Sequence, residues 1–226
     1  LRPTSGRLAA GELLGVLGPS GSGKSTLLSA LSGGVRAGSG LVAEGLVQFV
    51  PSGERVDVRS GDVAVLPQSG AFFGSLTVRE TLLTAARLQG RNMPREDVDA
   101  ALRALGLEHV ADARVGDRAS DAAAAGGARG ISGGERRRLA IGCSALLSLP
   151  KVLLADEPTS GLDASAAARV IAQLRRAAQA RGAPAVLTLH QPRASIFAAL
   201  DDVLLLAHGG RVLYHGPAAG GEGYFG

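Results

Sequence analysis

Lys24 is one of only two lysines among 24 basic residues, the other being Lys151, in a chain otherwise biased toward Ala, Gly and Arg. It lies in Gly18-Pro-Ser-Gly-Ser-Gly-Lys-Ser-Thr26, whose residue types can hold a polyphosphate. Gly18, Gly21 and Gly23 let the backbone curl closely around a phosphate, so that several N–H groups point inward and a following helix adds its positive end. Lys24 can reach the β- and γ-phosphates, and the Ser25 hydroxyl can ligate Mg²⁺. The spacing G-x-x-x-x-G-K-[ST] is that of the Walker A loop. Gly18, Ser20, Gly21, Ser22, Gly23, Lys24, Ser25 and Thr26 form the expected nucleotide-binding set.

A second acidic centre and two further features accompany the loop. The apolar run Val152–Ala155 ends in Asp156-Glu157, the Walker B arrangement. Asp156 would hold Mg²⁺, through water, and Glu157 would orient or deprotonate an attacking water. Another apolar run, Ala185–Leu189, ends in His190, at the strand end where α/β sheets place their ligands. Ser132-Gly-Gly-Glu135 reads as a capping box, with Ser132 as N-cap and Glu135 three residues on. Its two glycines leave the helix end bare enough for an anion to approach the backbone N–H groups. This second phosphate-directed helix end lies too far along the chain to belong to the first loop, which suggests two copies sharing nucleotides. Arg136–Arg138 reads as a solvated face, and Leu139, Cys143, Leu146 and Leu147 as the buried face of the same helix.

The elements that must position these groups follow from periodicity. Glu12–Leu17, the loop, and the apolar Leu27–Leu31 read as strand, turn and helix. Val152–Ala155 and Ala185–Leu189 read as buried parallel strands, Asp62–Leu66 as a run leading to Gln68, and Val203–Leu206 with Arg211–Tyr214 as a terminal hairpin around Gly209-Gly210. Leu41–Asp62 is expected to form a small antiparallel β subdomain. Thr77 and Glu80 cap a helix reaching about Gln89. Another runs from Pro94, with Val98, Ala101, Leu102 and Leu105 on one face, to Gly106. A long helix after Asp163 turns Val170, Ile171 and Leu174 inward and ends near Gly182. The sum is a doubly wound α/β domain with ligands at the strand carboxyl ends.

The chain has 226 residues and a net charge of +4, a balance attributable in part to the arginine bias. No run of about 18 apolar residues exists that could span a bilayer. The single cysteine, Cys143, excludes a disulfide framework and a cysteine-based zinc site. The first residue, Leu1, is not an initiator methionine, so the chain reads as a piece of a longer polypeptide.

With Walker A, Ser132–Glu135, Asp156-Glu157 and His190 in this order, the chain resembles the nucleotide-binding domain of an ABC transporter. In detail it is similar to the G, or white, subfamily. The resemblance rests on Thr77–Leu82, Ile131–Arg136, Asp156–Asp163, His190–Arg193 and Val212–Pro217, and covers nearly the whole chain from Gly11 to Phe225. It implies a P-loop NTPase fold with an antiparallel β subdomain and an α-helical subdomain, and ATP hydrolysis with Mg²⁺. Gln68 would be the Q-loop glutamine, sensing Mg²⁺ and water. Ser132, Gly133 and Gly134 would contact the γ-phosphate held by an opposite protomer. Glu157 would be the base, Asp163 would belong to the D-loop and share in nucleotide binding, and His190 would be the switch histidine. Ser25, Gln68 and Asp156 would be the metal set. The implied partners are a second such domain and a transmembrane domain after residue 226, at the cytoplasmic face of a membrane. Lipophilic or small-molecule export is the implied task, and no nucleic-acid partner is expected. Asp117–Arg129 reads as an insertion before the Ser132 helix.

Overall fold

The computed structural model describes residues 4–33, 63–67, 72–116, 130–146 and 150–220. Five apolar runs become the parallel strands of a six-stranded sheet: β1 Leu13–Leu17, β2 Val63–Leu66, β3 Val152–Ala155, β4 Ala185–Leu189 and β5 Asp202–Leu206. The sixth strand, β6 Val212–Pro217, pairs antiparallel with β5. The order is β2-β3-β4-β1-β5-β6, so β4 lies between β3 and β1, in register Leu13↔Ala185 and Leu153↔Ala185. Every residue of β3 and β4 is buried, which is why these strands read as continuous apolar runs rather than alternating ones.

Successive side chains on a strand point to opposite faces, and the sheet buries both. On one face Leu13, Leu17, Leu153, Ala155, Ala185 and Leu187 pack with Leu139 and with Val170, Ile171 and Leu174. These partners come from α4 Gly133–Ile141 and α5 Ala164–Arg181. On the other face Val16, Leu154, Val186 and Leu204 pack with Leu28 of α1 Lys24–Leu31. Helices on both faces make the sheet doubly wound. Asp163 caps α5 at its start, and Gly182 ends it in the left-handed region at φ +60°, where glycine carries no Cβ penalty.

Two further helices, α2 Val78–Leu88 and α3 Arg95–Leu105, bury Val78, Leu82, Ala86, Val98, Leu102 and Leu105 in the first core. Thr77 and Glu80 form the expected capping box, Glu80 N donating to Thr77 Oγ1 and Thr77 N to Glu80 Oε2. Arg79 joins this start to Asp99 and Asp112 through ion pairs. The Ser132 helix departs from its expectation. After Ile141 it widens into a π-helical turn over Gly142–Leu146, at the point where Gly142 abuts α2 and α3. A Cβ on Gly142 would lie 2.6 Å from Leu105 Cδ1 and 3.0 Å from Leu82 Cδ2. A short helix α6, Ala194–Phe197, follows β4. The expected β subdomain at Leu41–Asp62, the whole of Asp117–Arg129, Gln68 and Leu147 lie outside the described residues.

Candidate active site

The phosphate loop joins β1 to α1. Gly18 takes φ +153°, and a Cβ there would lie 2.4 Å from the Leu206 carbonyl oxygen and 2.6 Å from Ser22 Oγ. Only glycine fits between β5 and the loop. Gly23 caps α1 from the left-handed region with no side-chain hydrogen bond, so its own position adds no side chain at the front of the helix. Lys24 is 6% exposed, and its Nζ donates to the carbonyls of Gly18 (2.7 Å) and Pro19 (2.9 Å), which draws the loop into a curl around the ammonium. The Ser22 hydroxyl is buried and has no partner among the described residues, an arrangement that costs about 1–3 kcal/mol and that a phosphate oxygen can satisfy. A bare helix start, a buried ammonium and an orphaned hydroxyl make a donor-rich cradle that fits a polyphosphate.

Across the sheet, Asp156 Oδ1 accepts hydrogen bonds from Ser25 Oγ (3.2 Å) and Thr188 Oγ1 (2.6 Å). One carboxylate thus reaches both the start of α1 and the interior of β4. The Ser25 hydroxyl and the Asp156 carboxylate are hard oxygen donors side by side, the chemistry that Mg²⁺ takes. Thr188 is fully buried, and its hydroxyl also accepts from Glu157 N at 2.8 Å. Among the described residues Glu157 is the one non-glycine residue with positive φ, at +42°, a conformation costing about 1–3 kcal/mol that persists only where neighbours enforce it. Glu157 and His190 line one open cleft of about 240 Å³, together with Thr159, Ser160, Leu162 and Arg193. His190 is exposed at the end of β4.

The arginine run corrects the expectation of a solvated face. Arg137 and Arg138 are 8% and 7% exposed. Arg137 donates to the carbonyls of Asp156 (3.0 Å), Pro158 (3.0 Å) and Pro67. Arg136 Nη2 donates to those of Val115 and Gly116, each at 2.9 Å. The physical reason is that loops leaving strand ends carry carbonyls with no ladder partner, and the five-donor guanidinium satisfies several at once. Burial pushes the Arg137 guanidinium down to about 10, partly offset by the charge of Asp156, so it remains cationic at neutral pH.

At the start of α4, Ser132 and Glu135 complete their capping box: Ser132 N donates to Glu135 Oε2 at 2.7 Å and Glu135 N to Ser132 Oγ at 3.3 Å. Glu135 also meets His109 Nε2 at 2.8 Å. Burial works against the Glu135 carboxylate, but the hydrogen bonds from Ser132 and His109 together outweigh it and hold its pKa below the usual range. Ser132 and Gly133 are exposed, while Gly134 abuts Ala166 of α5, 3.3 Å from its would-be Cβ. Among the described residues no hydrogen bond joins Ser132, Gly133 or Gly134 to the Gly18–Thr26 loop. Asp163 acts locally as a cap, its Oδ1 accepting from Ala166 N at 2.8 Å. That backbone donor is the main reason its carboxyl lies below the usual range.

Thr188 and Arg137 are the site residues that sequence reasoning missed. A lone hydroxyl inside the apolar run Ala185–Leu189 was the available signal for the first. Nothing local distinguishes Arg137 from its two arginine neighbours.

The loop after β1, the carboxylates after β3 and the parallel sheet between them define a phosphate-loop nucleotide hydrolase. A family model described as ABC transporter matches residues 1–160, and a second, described as ABC-2 type transporter, matches residues 190–226. The chain is 41% identical over 96% of its length to ABC transporter G family member 7 of Arabidopsis thaliana. It is 35% identical over its whole length to G family member 28 of the same plant, and 34% identical to G family member 1 of Petunia hybrida, again over its whole length. The chain belongs to the ABC transporter family, in its G subfamily, as the nucleotide-binding domain that hydrolyses ATP. It spans 29%, 20% and 34% of the length of those three relatives. Among the described residues no helix is long and apolar enough to cross a membrane.

Proposed function

We propose that this domain is the engine of an ATP-driven transporter, with closure of two such domains on ATP and their reopening after hydrolysis driving a linked membrane domain. The observation that carries the reading is the hydrogen-bonded chain Ser25–Asp156–Thr188–Glu157, which ties the phosphate loop to the carboxylate suited to activate water. The Gly18 and Ser20–Thr26 segment binds the triphosphate, Lys24 releasing the loop carbonyls to meet β- and γ-phosphate oxygens. Ser25, Asp156 and Gln68 would hold Mg²⁺, which would supply neutralisation of phosphate charge when bound. Glu157 orients and deprotonates the attacking water. His190, in the same cleft as Glu157, donates toward the γ-phosphate. Ser132, Gly133 and Gly134, the first two exposed on the chain's own surface, face the nucleotide of a second domain, and Asp163 lies at that junction. The match of residues 190–226 to an ABC-2 type transporter model supports a membrane domain in the same full-length chain. The engine would then sit at the cytoplasmic face, with export of a lipophilic or small-molecule cargo.

Glu157→Gln tests the assignment. Amide for carboxylate keeps the shape and removes the base. The full-length protein should still bind ATP, lose at least about 100-fold in kcat, and accumulate as an ATP-bound closed dimer. Turnover at the wild-type rate would overturn Glu157 as the base.

A further inference from the structure

Glu157 holds a left-handed backbone that its own side chain does not favour, at φ +42°. Its N–H is fixed by Thr188. The carbonyls on either side of it, those of Asp156 and Pro158, are both held by one side chain from another element. Arg137 Nη2 donates to Asp156 O and Arg137 Nε to Pro158 O, each at 3.0 Å. Its remaining limb, Nη1, donates to the carbonyl of Pro67, immediately after β2 and one residue before Gln68. Arg137 is the fifth residue of α4, the helix whose start exposes Ser132 and Gly133.

We infer that Arg137 is a positioning residue for ATP hydrolysis: its buried guanidinium clamps the Asp156–Pro158 turn, so that the Glu157 carboxylate is aligned on water only while α4 is docked against the ends of β2 and β3. The inference rests on the reading of Glu157 as the base. A planar guanidinium fits this role because its donors lie in one rigid fork, and the three carbonyls come from two strand ends that a backbone hydrogen bond, Asp156 N to Leu66 O at 2.9 Å, already joins. Arg137 lies outside the phosphate loop, so the clamp should govern how well the base is aimed and leave nucleotide affinity alone. A displacement of α4 then reaches the base directly through one side chain, without passing through the nucleotide.

The test compares Arg137→Met and Arg137→Lys in the full-length protein, reading kcat and KM for ATP alongside the melting temperature. Misaiming a catalytic group by about an ångström costs on the order of 100-fold, so Arg137→Met should lower kcat about 10- to 100-fold with KM within about threefold. Arg137→Lys keeps a cation that can meet some of the carbonyls, and should recover part of that loss. If Arg137→Met does not fold, Arg137→Lys alone decides: a kcat reduced about threefold or more at unchanged KM supports the clamp. Wild-type kcat in either folded variant, or a loss that appears only in KM or only in melting temperature, overturns it. Glu157→Gln separates this failure from the one beneath it. Wild-type turnover in Glu157→Gln removes the base assignment, whereas an inactive Glu157→Gln beside a fully active Arg137→Met removes the clamp alone.

Discussion

Thr188 shows how one hydroxyl can tie two groups together. Its Oγ1 donates to Asp156 Oδ1 and accepts from Glu157 N, so the carboxylate proposed to hold metal and the turn carrying the proposed base share one partner inside β4. Valine has nearly the same volume and can do neither. Thr188→Val leaves the Glu157 N–H and one lone pair of Asp156 without their partner, and a buried unsatisfied group costs about 1–3 kcal/mol. We expect a melting temperature lower by several degrees and a kcat reduced about tenfold or more, measured on the purified full-length protein. Thr188→Ser restores the hydroxyl and should recover most of the turnover while losing only a methyl contact. Equal kcat in Thr188→Val and wild type would separate this hydroxyl from catalysis. The neighbouring Ser22 points the other way: its buried hydroxyl lacks a partner among the described residues, so its role waits on nucleotide.

At the scale of elements, what was legible in the sequence was whatever a few neighbouring residues determine. The capping boxes at Thr77 and Ser132 hold as read, because both partners lie three residues apart. Gly106 and Gly182 stop their helices in the left-handed region. The π turn at Gly142 was not legible, since the apolar spacing of Leu139 and Cys143 suits an α-helix, and neither was the close approach of Leu82 and Leu105 that makes a Cβ at Gly142 costly. Arg137 was hidden for the same cause: its acceptors are main-chain carbonyls 19, 21 and 70 residues away. The Ser132 cap carries a prediction of its own. Because the Glu135 pKa is depressed in the folded protein, its contribution to stability is complete above the usual value of about 4.5 and is lost as pH falls through the lower folded value. Glu135→Gln can still accept from Ser132 N but carries no charge. The difference in melting temperature between wild type and Glu135→Gln, without nucleotide, should be greatest near neutral pH and shrink on acidification below about 4.5. A difference that stays constant from pH 7 to pH 4 would remove the charge from the account.

The whole molecule brings together what the chain scatters. In the order β2-β3-β4-β1-β5-β6, the loop after β1, His190 after β4 and Asp156-Glu157 after β3 emerge from three adjacent parallel strands at one edge. The sequence could mark each of these strand ends but not their neighbours, because strand order is settled by helix packing on both faces. Among the described residues the same architecture leaves Ser132 and Gly133 exposed and without a hydrogen bond to the chain's own phosphate loop, and the proposed two-domain site would take that helix start from a second copy. That requirement can be tested by mixing two inactive chains. Lys24→Ala removes the phosphate ammonium, and Ser132→Arg blocks the helix start with a bulky cation. If each site combines the loop of one chain with the Ser132 helix of the other, a mixed dimer holds one wholly intact site and one doubly damaged site. Co-expression of the two full-length variants should therefore restore ATPase activity above either parent. With random pairing half the dimers are mixed and each carries one of two sites, so recovery should approach about a quarter of wild type. A site built within one chain would be damaged in every copy, and co-expression would restore nothing.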